Sequence, residues 1–147
     1  MRPALIQHIH IIHGPNLNLL GKRETEIYGA VSFDDFFLTL QREFPSMRFS
    51  YFQSNHEGHI IDYLHRHGFD VGAGFLLNAG GLTHTSVSLR DAVTAIEVPV
   101  IEMHISNIFK RESFRWHSYL TDVCSAHFIG QGLDGYRKGV AYFMEGK

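Results

Sequence analysis

The sharpest constellation in the sequence is Glu102-Met103-His104. At a strand end, alternate residues project to one side, so the carboxylate can hold the imidazole in a single tautomer and leave it as a positioned general acid. A purely structural His–carboxylate pair accounts for the same residues equally well. A second candidate lies between Leu19 and Ala30, where Arg23, Glu24 and Tyr28 stand between Gly21 and Gly29. Charge, an aromatic hydroxyl and two permissive backbone positions give this segment the character of a lid. A phenol titrates near pH ~10, so Tyr28 works as a base at neutral pH only if a cation lowers that value, a role open to Arg23. A surface tyrosine on the sheet edge beside a solvated arginine is the plainer account of the loop taken alone.

Two further groups suit an anionic or hydroxylated ligand. Thr83-His84-Thr85-Ser86 stands at a helix start, where hydroxyls cap free amides and the dipole attracts negative charge. Capping explains the Thr and Ser residues and leaves His84 unexplained. Arg111 and Arg115, four residues apart, present either a paired cationic face to a carboxylate or hydroxyls, or simply a solvated helical face. Other chemistries fit less well. Gly130-Gln131-Gly132-Leu133-Asp134-Gly135 satisfies GxGxxG, but the chain ends before an acidic residue could serve a ribose, so it reads as a tight strand-to-helix turn. His8-x-His10 and His65-x-His67 carry metal-binding residue types, yet the first alternates along a strand expected to be buried and the second ends a helix whose dipole His complements. We therefore expect no metal. Neither Ser54 nor Ser86 has the glycines of a nucleophile elbow, and Asn16 and Asn78 stand where a phosphoacceptor domain needs acids.

The elements that must position these residues follow from hydrophobic periodicity. Leu5–His13, Met47–Gln53, Val71–Leu77, Val98–Met103 and Ala126–Ile129 read as strands. Helices are expected from a Ser32 cap through Phe44, over Glu57–His67 with Gly68 as C-cap, over Ser86–Ile96, around Arg111–Leu120, and from about Leu133 to Phe143. Five strands each followed by a helix predict right-handed crossovers and a parallel sheet covered on both faces. The simplest arrangement is an α/β, flavodoxin-like three-layer sandwich with strand order 2-1-3-4-5. Ligands bind at the carboxyl ends of such strands, and these ends are polar: Asn16 and Asn18, Gln53 to His56, Asn78 to His84, and Glu102 to Asn107.

The composition sets the outer bounds. At 147 residues the chain has the size of a single domain, expected to span 1–147, and its 44% hydrophobic content is not that of a disordered segment. Thirteen basic against 15 acidic residues lack the excess that nucleic-acid binding draws on. A single Cys124 forms no internal disulfide, no apolar run reaches the ~18 residues of a membrane span, and the start lacks a signal peptide, so the default location is the cytoplasm.

Taken together, GPNLNLLGKRETEIYG (14–29), QSNHEG (53–58), NAGGLTHTSVSLRDA (78–92), EMHISN (102–107) and RESFRWHS (111–118) resemble the blocks of type II 3-dehydroquinate dehydratases, in that family's order. Thr25 and Ala79 depart from the family's usual Pro, and Gly81 from its usual Ala, positions that touch loop stiffness. The resemblance implies a cofactor-free, reversible dehydration of 3-dehydroquinate through an enolate, in the shikimate and quinate pathways. It implies Tyr28 as base, Arg23 lowering its pKa, Asn16 holding a water at the enolate oxygen, and His104, oriented by Glu102, protonating the departing hydroxyl. It further implies that Asn78 and the amides of Ile105 and Ser106 bind the carboxylate, that His84, Arg115 and Asp91 take ring hydroxyls, and that Arg111 supports the lid. Asp91 would come from a neighbouring subunit of a homododecamer built from trimers. The alternative is a flavodoxin-like small-anion or cofactor-binding module without catalysis.

Overall fold

The computed structural model describes residues 5–22, 25–28 and 30–145, with residues 27 and 28 described by backbone alone. Strands β1 (His8–His13), β2 (Arg48–Gln53), β3 (Ala73–Asn78), β4 (Val100–His104) and β5 (Ala126–Ile129) form one parallel sheet in the order β2-β1-β3-β4-β5. This is the predicted order. The helices are α1 (Thr25–Tyr28), α2 (Phe33–Glu43), α3 (Glu57–His67), α4 (Val87–Ala95) and α5 (Asp134–Glu145).

Period-two alternation of the strands sends side chains into two separate cores. Ile9, Ile11, Leu76, Ile101 and Met103 pack with Phe33, Phe36 and Leu40 of α2 and with Tyr136, Val140 and Phe143 of α5. Ile12, Phe75, Leu77 and Val100 pack with Ile60 and Leu64 of α3 and with Leu89 and Val93 of α4. Burying an apolar side chain of this size contributes about 1.5–3 kcal/mol. Two N-caps fall where the sequence places them: Ser32 Oγ accepts from Asp35 N at 3.2 Å, and Ser86 Oγ from Leu89 N at 2.9 Å. Among the described residues no helix is long and apolar enough to cross a membrane.

One expectation is corrected. The segment expected as a helix over Arg111–Leu120 contains only a 3-10 turn at Ser113–Arg115, preceded by another at Ile108–Lys110. Its apolar residues do not share a face, since Phe114 and Trp116 are 65% and 53% exposed while Leu120 is fully buried. Its polar groups are instead tied to neighbouring elements: Tyr119 N donates to Thr83 O at 2.9 Å, and Arg90 of α4 reaches Tyr119 O at 2.8 Å. Gly68 is the C-cap of α3, as expected, with φ −71. Its small size serves a close approach, because a Cβ there would stand 2.3 Å from Ile96 Cγ2.

Candidate active site

In the order 2-1-3-4-5 the chain leaves β1 toward one edge of the sheet and returns on the other side, so the loops after β1 and β3 diverge and leave a crevice. The crevice is a cleft of about 150 Å³, well under the roughly 300–1,000 Å³ of pockets for drug-sized ligands, and suited to a single-ring solute. Asn16, Asn78, His84, His104, Ile105, Ser106, Arg111 and Arg115 all line it, along with Leu17, Leu20 and Ile108.

The acid end of the cleft is the most completely defined. His104 Nε2 donates to Glu102 Oε2 at 2.7 Å, leaving Nδ1 as the nitrogen free of the carboxylate. Glu102 is fully buried, and its other acceptor sites are filled by hydroxyls: Ser118 Oγ donates to Oε2 at 2.6 Å and Thr121 Oγ1 donates to Oε1. Burial pushes the Glu102 carboxyl up, but the His104 and hydroxyl donors outweigh it and hold the group below the usual carboxylate range. The site therefore carries a buried carboxylate that fixes an imidazole at the cleft wall. Ser118 closes the 111–118 block without a role assigned to it there, and Thr121 lies outside every block. Beyond that, their signal is two hydroxyls three residues apart just after Arg115.

Across the cleft, Asn78 is held at both ends of its amide. Oδ1 accepts from Gly80 N at 3.1 Å, and Nδ2 donates to the Tyr136 hydroxyl at 3.4 Å. Tyr136 in turn bonds His13 Nε2 at 2.7 Å, and His13 Nδ1 bonds the Tyr51 hydroxyl at 3.1 Å, so a buried chain of polar groups runs beneath Asn78. His13 is completely buried, and desolvation lowers its pKa to about 3, which keeps it neutral. Asn16 adopts the left-handed conformation (φ 71), and its N–H donates to Asn55 Oδ1 at 2.9 Å. His84 Nδ1 donates to His117 O at 2.7 Å, with burial chiefly, then His104 and Arg115, lowering its pKa. This leaves Nε2 free of the backbone. Arg115 Nε is anchored on Glu112 at 2.7 Å, and Arg111 lies 3.4 Å from Ser106 Oγ. The two arginines converge on the cleft although no helix joins them. Of the predicted caps, Ser86 acts as one, whereas the buried Thr83 hydroxyl has no hydrogen-bond partner among the described residues.

Three predicted residues are not brought to this cleft within the described chain. Arg23 and the Tyr28 side chain lie outside the described residues, and Asp91 is an exposed residue of α4 that does not line the cleft.

The family model described as Dehydroquinase class II matches residues 7–144. The chain belongs to the class II dehydroquinases. A 3-dehydroquinate dehydratase of Gloeothece citriformis is 45% identical over 139 residues, covering 93% of this chain and 91% of that protein. A catabolic 3-dehydroquinase of Phaeosphaeria nodorum is 46% identical over 140 residues, covering 94% and 91%. The crystal structure of a type II dehydroquinase from Butyrivibrio crossotus superposes with a TM-score of 0.89 at 38% identity, covering 94% of this chain and 97% of that one. The class II dehydroquinase resemblance read from the five sequence blocks is thus shown by the family match, and the fold by the structural neighbour.

Proposed function

We propose that this chain is the hydro-lyase that converts 3-dehydroquinate to 3-dehydroshikimate, and that its cleft carries the acid half of the reaction. The observation that supports this most directly is the buried Glu102–His104 pair, 2.7 Å apart, at the wall of a cleft lined by Asn78, His84 and Arg115. Tyr28, as phenolate, removes the proton beside the ketone, with Arg23 lowering its pKa and stabilising the enolate. Asn16 helps hold a water against the enolate oxygen. His104 then protonates the departing hydroxyl, since hydroxide is a poor leaving group without general-acid help. One C–H and one C–O bond break, a C=C bond forms, and one water leaves.

Substrate binding divides by charge. The carboxylate is taken by the Asn78 amide and the backbone N–H groups of Ile105 and Ser106, while His84 and Arg115 hold ring hydroxyls and Arg111 supports the closed loop. Asp91 completes the hydroxyl contacts from a neighbouring chain, in a homododecamer built from trimers and acting in the cytoplasm. Its exposed position on α4 leaves it available for that role. The test is the ultraviolet absorbance of purified protein mixed with 3-dehydroquinate, because the product is a conjugated enone and the substrate is not. Growth of the signal without added metal or nucleotide, persisting after borohydride treatment with substrate, supports the proposal and excludes a lysine Schiff base. A flat trace from the folded assembly refutes it and favours a small-anion binding module.

A further inference from the structure

His10 is buried and takes no part in the cleft. It lies on β1 three residues before His13, on the face covered by α3. Its Nδ1 is 2.7 Å from the Tyr63 hydroxyl, whereas its Nε2 is buried without a hydrogen-bond partner among the described residues. Native interiors rarely leave such an atom orphaned. The His67 ring, in the last turn of α3, is 4.7 Å from the His10 ring, and His67 Nδ1 is 3.2 Å from Asp70 Oδ2. One potential ligand atom from each of His10, His67 and Asp70 lies within 4.8 Å of the other two. His8 also stacks on His10, at 4.0 Å, but Ser50 Oγ (2.7 Å) and Arg48 (2.8 Å) occupy both of its nitrogens.

We propose that His10, His67 and Asp70 bind a divalent transition-metal ion of the zinc class, with solvent completing the shell. Two imidazoles and a carboxylate form a donor set suited to that class, and harder ions such as Mg²⁺ favour oxygen ligands. With ligands about 2 Å from the ion, the three groups must close inward by roughly 1 Å, a movement open to the partly exposed side chains of His67 and Asp70. Donation from His10 Nδ1–H to the Tyr63 hydroxyl leaves the Nε2 lone pair as the ligand and gives the ring the outer hydrogen bond that metal-bound histidines usually have. Burial first, and then the neighbouring His8 and His67, lower the His10 pKa to about 4, so protons compete little for that lone pair at neutral pH. The ion would clip β1 to the end of α3 and the turn after it. Three residues of strand, about 10 Å, separate His10 from His13 beneath the cleft, so the clip is not part of the dehydration machinery.

The test is equilibrium dialysis of the chelator-stripped, assembled protein against Zn²⁺, followed by visible spectroscopy of the Co²⁺-loaded form. Saturable uptake of one ion per chain is expected, with the absorption bands of a tetrahedral Co²⁺ site. His67→Gln and Asp70→Asn should each weaken Zn²⁺ binding by at least ~10-fold and remove the Co²⁺ bands, with dehydration rate and metal-free melting temperature unchanged. His65→Gln, on the same helical turn and outside the ligand set, should bind as the parent does. Equal affinity in the parent and both ligand variants, or uptake that never saturates, overturns the proposal and leaves an adventitious ion only. Metal affinity is the readout, so a failed dehydratase assay would leave this result interpretable.

Discussion

Replacing Glu102 by Gln separates what the carboxylate does by shape from what it does by charge. Gln is nearly isosteric. Its carbonyl can occupy the Oε2 position and keep accepting from His104 Nε2 and Ser118 Oγ, which stand 2.7 and 2.6 Å away. Its amide then faces the Thr121 hydroxyl, which can rotate from donor to acceptor. The His104 tautomer and the local packing survive, and only the negative charge is lost. A unit charge about 4 Å from the centre of an imidazolium stabilises it by roughly 4 kcal/mol at an effective dielectric near 20. If half to nearly all of that is expressed at the acid step, turnover falls by about 30-fold to about 10³-fold. The assay is enone absorbance under saturating substrate, with thermal melting in parallel. Turnover within about threefold of the parent at an unchanged melting temperature would refute the claim that the Glu102 charge supports the acid. Glu102→Ala is a poor substitute, because it strands the buried His104 N–H and two partly buried hydroxyls, and its effect would mix folding with catalysis. The sign for stability follows from the depressed Glu102 pKa. Its contribution is fully present above the ordinary value of 4.5 and is lost as the pH falls through the lower folded value.

Tyr28→Phe is expected to lower turnover by about 10²–10⁴-fold while leaving the melting temperature near that of the parent; near-normal turnover would sink its assignment as base. Tyr136→Phe removes the hydroxyl shared by His13 and Asn78, so urea titration should show a loss of about 1–3 kcal/mol, and KM should rise more than kcat falls as the Asn78 amide loses its anchor. His13 is held neutral in the fold, with a pKa of about 3 against 6.5 when unfolded, so the unfolded chain binds the extra proton between those values. Stability should therefore decline as the pH drops below 6.5, by about 1.4 kcal/mol per pH unit from this residue. Urea midpoints across that range should show a shallower slope for His13→Gln than for the parent.

What the sequence made legible was local. Ser32 and Ser86 cap their helices because a cap is decided by a side chain and the amide three residues on. The five strands and their order follow from apolar runs and from the rules of parallel crossovers, which need no knowledge of individual contacts. The Glu102–His104 pair was visible because both residues sit on one strand, two positions apart. The groups that fix that pair were not. Ser118 and Thr121 reach Glu102 across 16 and 19 residues, and His13 meets Tyr136 across 123. The same limit hid the histidine cluster: each His-x-His motif, read alone, fits a buried strand or a helix end, and the cluster takes one ring from each. The segment around Arg111–Leu120 failed in the other direction, because helical spacing of the arginines suggested a helix where polar contacts to α4 and Glu102 fix an irregular path.

The site depends on the level at which parallel strands end. His13 of β1 is in register with Asn78 of β3, and Leu77 with Glu102 of β4, so three strands deliver their polar residues to one height at the same end of the sheet. Parallel register alone would still bring the first residues after β1 and β3 into collision. A Cβ on residue 14 would stand 2.2 Å from the Ala79 carbonyl oxygen, and only glycine lets the two loops pass. Beyond that close approach, the left-handed residue Asn16 lines the same opening that Asn78 and His104 border. The topology opens the cleft, a glycine at the close approach and a left-handed asparagine after it shape its rim, and the chemical side chains follow from strand register.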